Sequence, residues 1–99
     1  SLVITTFDSG EPKDRVLSAV NNEGKLYVSA NHWPRSWYRQ ALSNPNVEAL
    51  YKGEKNSYLA VSVEGKEHDR LMKEHAHPLT FRILTGFPPR YFIRLDLKD

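Results

Sequence analysis

The chain alternates between short apolar segments and clusters of polar turn residues. Six segments rich in β-branched, aliphatic and aromatic residues predict strands, at residues 2–7, 15–20, 25–30, 47–51, 57–63 and 90–97. Alternating faces within residues 25–30 are typical of a strand with one buried side. The sequence Asn21-Asn22-Glu23-Gly24 predicts a tight hairpin turn, because its residues tolerate positive φ.

Two segments have a helical pattern instead. Residues 36–42 place Trp37 and Ala41 on one face, and an Asn-Pro pair follows as a stop signal. Ser36 is the predicted N-cap of this helix. Residues 66–75 are mostly polar with two apolar anchors, which predicts a second short helix.

Short strands interrupted by two short helices predict a mainly β fold. We expect a six-stranded antiparallel barrel, closed or half-closed, because closure removes exposed strand edges. Residues 79–84 fit either a helix or a strand, and that alternative stays open. The 99 residues predict a single domain over residues 1–99. Since Ser1 already stands in a strand-like run without a starting Met, we expect N-terminal residues to precede it.

Composition narrows the class of protein. Hydrophobic residues make up 39% of the chain and charged residues 26%, as in globular domains. Fourteen Lys and Arg nearly balance 12 Asp and Glu, and like charges form no long block, so no nucleic-acid partner is expected. No apolar run approaches the ~18 residues of a membrane span. The absence of cysteine fits a cytoplasmic location. The charge pattern and the short apolar runs together predict a protein without nucleic-acid or membrane partners.

The segment from Ser29 to Pro45 carries the most chemistry. Arg35 supplies a cation, Ser36 a hydroxyl, and Trp37 with Tyr38 supplies flat aromatic surface, all just after a predicted strand. A phosphorylated, planar ligand would use all three. Free amides at the start of a helix also favour an anion, although N-capping alone would explain Ser36 and packing alone would explain Trp37.

These residues carry a resemblance to a known superfamily. Ser29-Ala30, Pro34, Trp37-Tyr38, Ala41-Leu42 and Asn44-Pro45, in this element order, resemble the FMN-binding split-barrel superfamily. That superfamily includes pyridoxamine-phosphate-oxidase-like proteins and deazaflavin-dependent nitroreductases. The resemblance implies a split β-barrel and a cofactor that is either FMN or the deazaflavin coenzyme F-420.

The resemblance also implies roles for particular residues. Phosphate contacts are expected from one set of side chains: Lys13, Arg15, Arg35 and Ser36. The backbone of Ser29, Ala30 and Asn31 would run beside the cofactor ring, and Trp37, Tyr38 or Trp33 would line the ring or substrate space. The nitroreductase branch has a Gly-Arg-Lys-Ser-Gly loop after its first strand, whereas this chain has Asp8-Ser9-Gly10-Glu11-Pro12-Lys13 and so lacks the Arg-Lys pair.

The predicted function is therefore a flavin- or deazaflavin-dependent oxidoreductase that transfers hydride to a small organic substrate. The alternative is a non-enzymatic split-barrel protein that binds a ligand or serves as a dimeric interaction module, which the altered loop favours. No catalytic residue is assigned, since the cofactor carries the hydride. The four histidines, His32, His68, His75 and His77, lack the spacing of a zinc site, and no metal is predicted.

A homodimer is the predicted assembly. A core built from 99 residues is small for a stable monomer. Trp33, Tyr91 and Phe92 add more aromatic surface than we expect one small barrel to hide. In the resembled superfamily the cofactor site lies at the subunit boundary, which agrees with that assembly.

Overall fold

The computed structural model describes residues 2–31, 36–75 and 90–98, which contain seven strands and two helices. The strands are β1 (Leu2–Asp8), β2 (Glu11–Leu17), β3 (Ala19–Asn22), β4 (Lys25–Asn31), β5 (Asn46–Tyr51), β6 (Glu54–Ser62) and β7 (Arg90–Leu97). The helices are α1 (Ser36–Ser43) and α2 (Gly65–Glu74). The predictions for residues 79–84, Trp33, Arg35 and His77 concern parts of the chain outside the described residues.

All seven strands belong to one antiparallel sheet in the order β2-β1-β5-β6-β7-β4-β3. The two edge strands, β2 and β3, are neighbours in the chain and are separated by Ser18 alone. Because one residue joins the two edges, the sheet has to curl until they meet at that corner. The result is a half-closed barrel, and the predicted mainly β antiparallel class is confirmed.

The sheet has seven strands and not the six predicted, because the segment 15–20 is divided at Ser18. Leu17 ends β2 opposite Leu2 of β1, whereas Ala19 begins β3 opposite Val28 of β4. The apolar pattern of this segment continues across the corner, so it does not reveal the change of ladder.

The turn between β1 and β2 is short. It consists of Ser9 and Gly10 alone, and β2 already includes Pro12. A proline is tolerated there because β2 is an edge strand, where a missing N–H costs no ladder bond on the open side.

Three hairpins share one turn geometry. Their two central residues are Ser9–Gly10, Glu23–Gly24 and Lys52–Gly53, and all six residues have positive φ, between 51° and 83°. Two consecutive positive φ values define the type I′ turn, whose twist matches that of the flanking strands. The predicted hairpin at Asn21–Gly24 is confirmed, with its turn at the last two residues.

The inner face of the curled sheet holds the main core. Its buried members come from five strands and α1: Leu2, Ile4, Val28, Trp37, Ala41, Val47, Ala49, Tyr58, Ala60, Ile93 and Leu95. Helix α1 contributes Trp37 and Ala41, the pair that the sequence placed on one helical face. The helix therefore closes the inner side of the barrel next to β1 and β6.

Helix α2 covers the opposite face of the sheet. Tyr27, Val63, Leu71 and Phe92 form a second buried cluster there. Tyr27 and Phe92 alternate with core residues of β4 and β7, and successive side chains of a strand point to opposite faces. The predicted helix at 66–75 is confirmed within one residue at each end, as Gly65–Glu74.

A polar network fastens α2 to the sheet beneath it. The Tyr27 hydroxyl donates to Glu67 Oε2 at 2.6 Å, and Arg94 Nη1 donates to both Glu67 oxygens at 3.0 Å. Arg94 also donates from Nε to Asp96 Oδ1 at 2.8 Å. The side chains of Glu67 and Arg94 are each 22% exposed, so this pair is screened less than a surface salt bridge.

The network shifts the titration of its members. Burial raises the pKa of the Tyr27 hydroxyl to about 12, and its hydrogen bond to Glu67 acts in the same direction. Burial by itself also raises the pKa of Glu67, but hydrogen bonds from Tyr27 and Arg94 outweigh it, and the pKa is lowered. Hydrogen bonds to Asp96 and Glu67 raise the pKa of Arg94 above its usual value.

We expect Glu67→Gln to lower the free energy of unfolding at neutral pH by about 1.5–3 kcal/mol, because hydrogen bonds to a charged group are lost. The ordinary pKa of Glu67, 4.5, is lowered in the folded protein. Its charge therefore stabilises the fold above that pH, and the stabilisation is lost as the pH falls through the folded-state pKa. Urea denaturation across pH should show the wild-type advantage shrinking below pH 4.5.

Glu64→Gln is the matched control. Glu64 precedes α2, is exposed and makes no side-chain capping bond. An equal stability loss in both variants, or a loss in Glu67→Gln that does not depend on pH, would contradict the role of the network.

Candidate functional site

Strand β4 extends beyond the end of its neighbour β3, so the last part of β4 has an open backbone edge. Residues Lys25 to Val28 pair with β3, whereas Ser29, Ala30 and Asn31 pair with β7 alone among the described strands. Their backbone on the β3 side therefore has no described ladder partner. This open stretch is the one that the resemblance assigned to the cofactor ring.

Helix α1 is held against β1 by polar contacts. The Thr6 hydroxyl, almost fully buried, donates to Gln40 Oε1 at 3.0 Å. Near the helix end, Asn44 Nδ2 donates to the Phe7 carbonyl at 3.5 Å. These contacts, together with buried Trp37, fix the helix relative to β1 and so fix where its first residues lie.

A cleft of about 390 Å³ lies between β2 and the start of α1. Its lining comes from Arg15, Val16 and Leu17 of β2 and from Ser36 and Trp37 of the helix. The resemblance implies that Arg15 and Ser36 belong to one phosphate site, and the fold brings both of them to this cleft. They are 21 positions apart in the chain, so the curl of the sheet is what joins them.

The register of the first hairpin explains why Arg15 faces the helix. Arg15 stands opposite Ile4, and Leu17 stands opposite Leu2, and both partners are fully buried on the inner face. Directly paired residues share a face of the sheet. Because β2 is the edge strand, Arg15 reaches the rim of this face and stays exposed.

The electrostatics of the cleft suit an anion. Within the described part of the chain, no carboxylate forms an ion pair with Arg15. Helix α1 begins at Ser36 and carries no acidic residue in its first turn. Ser36 is itself the first helical residue, so it does not stand at the N-cap position predicted for it. The Ser36 amide is among the N–H groups at a helix start that lack an intrahelical partner.

Lys13 differs from Arg15 in its surroundings. Its Nζ lies 3.4 Å from Asp8 Oδ2, in an ion pair whose side chains are half exposed. Lys13 is not among the residues that line the cleft. Lys13 therefore shares a face of β2 with Arg15 but does not line the cleft with Arg15 and Ser36.

An aromatic group stands beside the open end of β4. The Trp37 and Tyr38 rings meet edge to face at 5.9 Å, and the Tyr38 ring lies 5.7 Å from that of Tyr91. Tyr91 pairs with Ala30 across the ladder between β4 and β7. Sequence reasoning did not select Tyr91 as a candidate site residue, because alternation along β7 shows only that it shares a face with Ile93.

Other candidate chemistry is sparse in the described residues. No group of three His, Asp or Glu side chains there is arranged to hold a metal ion. His68 instead meets the Phe92 ring edge to face at 5.9 Å. Neither described helix is long and apolar enough to cross a membrane.

A curled antiparallel sheet that is split at one corner, with a helix start facing the split, is the architecture of the FMN-binding split-barrel class. The family model described as F420H(2)-dependent quinone reductase matches residues 2–79. The chain belongs to this family of oxidoreductases. No curated protein matches it significantly.

Solved structures share the fold. An F420-H2 dependent reductase (FDR-A) superposes with a TM-score of 0.67 at 21% identity, over 93% of this chain and 91% of the other. A putative pyridoxamine 5'-phosphate oxidase from Listeria innocua gives 0.70 at 15% identity, over 99% and 83%. A protein described as a domain-swapped dimer gives 0.75 at 23% identity, over 96% and 78%.

Trp37 is only 4% exposed and also lines the cleft. Its contribution to the core can be measured by substitution. We expect Trp37→Ala to lower the free energy of unfolding by about 3–5 kcal/mol, the cost of removing a large buried ring. Leu42→Ala, on the exposed side of the same helix, should cost less than about 1 kcal/mol. Urea denaturation measures both, and similar losses would show that Trp37 is not a core residue.

Proposed function

We propose that this protein binds a phosphorylated flavin or deazaflavin in the cleft between β2 and α1 and reduces a small organic substrate of the quinone type. When bound, the cofactor supplies the hydride, and the protein holds and orients it. Family membership supports the reaction class. The observation that carries the site is the exposed Arg15 guanidinium, without a described carboxylate partner, in one cleft with the start of α1.

The residues of the cleft fit a phosphate group. An arginine offers a permanently charged, planar fork that binds phosphate oxygens in pairs. The first amides of α1 and the Ser36 hydroxyl add donors, and the helix dipole favours negative charge at this end. Arg35, the residue before the helix in the sequence, would add a second cation, which stays a prediction.

The ring of the cofactor would extend from the phosphate toward the open edge of β4. Backbone N–H and C=O groups of Ser29 to Asn31 would bond the polar edge of the ring, because these groups lack described partners on that side. Tyr38 and Tyr91 would form an aromatic wall next to that edge. Flat aromatic side chains suit both the ring and a planar quinone.

Arg15→Ala should weaken FMN binding about ten- to a hundredfold, the equivalent of about 1.5–3 kcal/mol for hydrogen bonds to a charged group. Riboflavin, which has the same ring without the phosphate, should bind both proteins equally. Fluorescence quenching titrations measure both constants, and Arg35→Ala is tested in the same way.

Arg39→Ala is the control, since it removes the same charge from an exposed position of α1 that does not line the cleft. An equal effect of Arg39→Ala on FMN, or an equal loss of riboflavin affinity in Arg15→Ala, would contradict a phosphate site at Arg15. Failure of the wild-type protein to bind FMN and coenzyme F-420 would instead favour a non-enzymatic split-barrel protein.

We also propose that the protein is a homodimer, for a different reason from the aromatic surplus inferred from the sequence. Phe92 is buried under α2, and Tyr91 packs against Tyr38 within the protomer. A row of aliphatic residues, Val16, Val3 and Leu50, instead crosses β2, β1 and β5 on the outer face of the sheet, away from the strands that α2 covers. Val16 is 71% exposed and Leu50 is 43% exposed, which supports an interface with a second copy.

Leu50→Lys should convert such a dimer to monomers at micromolar concentration, because a lysine would place an unpaired charge inside the interface. Sedimentation velocity measures the mass. Lys52→Glu, in the exposed turn next to it, is the control and should leave the dimer intact. A wild-type protein that sediments as a monomer would contradict the proposal.

A further inference from the structure

The hairpin between β1 and β2 carries balanced charge on the side that faces α1. Asp8 and Glu11 are opposite each other in the ladder, and Lys13 and Arg15 follow on the same face of β2. The two acids and two bases sum to zero, and with Arg15 assigned to the cleft the other three side chains carry a net charge of −1. Unlike the start of α1, this tip offers no surplus of positive charge to an anion.

Asp8 is tied to both the hairpin and the helix. Its Oδ2 atom lies 3.4 Å from Lys13 Nζ and accepts a hydrogen bond from Gln40 Nε2, also at 3.4 Å. Gln40 in turn accepts from the buried Thr6 hydroxyl at 3.0 Å. Asp8 is therefore oriented toward Lys13 on the α1 side of the hairpin. Lys13 itself is two residues from Arg15 along β2.

We infer that Asp8 determines which cofactor the cleft accepts. By occupying Lys13 and adding negative charge beside α1, it favours a cofactor whose charge is confined to one phosphate and disfavours one with additional carboxylates. The inference rests on the proposed function of the cleft, and it adds a preference between cofactors that the fold alone does not determine.

The two candidate cofactors differ in this respect. FMN ends in a phosphate monoester, which Arg15 and the first amides of α1 would satisfy. Coenzyme F-420 continues past its phosphate into a tail of glutamate carboxylates. A tail that runs along β2 meets Asp8 and Glu11, while the nearest lysine is already paired. Like charges about 4 Å apart in water repel by about 1 kcal/mol, so each such encounter lowers affinity severalfold.

The test compares two deazaflavins that share ring and phosphate, one with the glutamate tail and one without it. Fluorescence quenching gives the dissociation constants for the wild type, Asp8→Asn and Asp14→Asn. Asp14 is the matched control, because it loses the same charge but faces the other side of the sheet, where it accepts from Thr5 at 2.7 Å. Thermal unfolding establishes that each variant is folded.

The wild type should bind the tail-free deazaflavin more tightly than the tail-bearing one. Asp8→Asn should narrow that ratio about two- to fivefold, the range of a half-exposed charge interaction, and Asp14→Asn should leave it unchanged. An unchanged ratio in Asp8→Asn, an equal change in Asp14→Asn, or no discrimination by the wild type would overturn the inference and leave the cleft's function standing. Absence of any flavin or deazaflavin binding would overturn the proposed function and this inference with it.

Discussion

The architecture depends on one covalent constraint, the single residue Ser18 between the two edge strands of the sheet. Strands that belong to opposite edges have to meet where the chain passes from one to the other, so a seven-stranded antiparallel sheet curls into a half-barrel. Curling creates an enclosed inner face for the main core. It also leaves a gap beyond the corner, where β2 turns away toward β1 and the end of β4 has lost β3 as a partner. The candidate site is this gap.

The two helices are attached to the sheet by different kinds of contact. This difference suits a protein that binds a ligand at the start of α1. Helix α2 is fastened by a charged network with short hydrogen bonds from Tyr27 and Arg94 to Glu67. Helix α1 is held by Trp37 in the core and by the neutral contact between Thr6 and Gln40. Within the described residues no backbone hydrogen bond uses the Ser36 amide at the helix start, which is why we propose it for the phosphate site.

Much of the fold follows from sequence pattern alone. Apolar periodicity predicts five of the seven strands (β1, β4, β5, β6 and β7) and both helices. The Asn-Asn-Glu-Gly sequence predicts a hairpin, and the two residues of its turn have positive φ. The corner at Ser18 was not predictable, because apolar residues continue on both sides of it. The same limit applies to the site. Residue type indicates Arg15 and Ser36, but only the side-chain contacts of the structure show that Lys13 is paired with Asp8 and that Tyr91 meets Tyr38.

The central claim is that the split of the barrel, between Arg15 of β2 and the start of α1, holds the phosphate of a flavin-type cofactor. A crystal structure of the protein soaked with FMN tests it most directly. We predict the phosphate within hydrogen-bond distance, about 2.7–3.2 Å, of the Arg15 guanidinium and the Ser36 amide, with the ring along Ser29 to Asn31. Ordered FMN whose phosphate lies elsewhere on the barrel, with this cleft filled by solvent, would contradict the account.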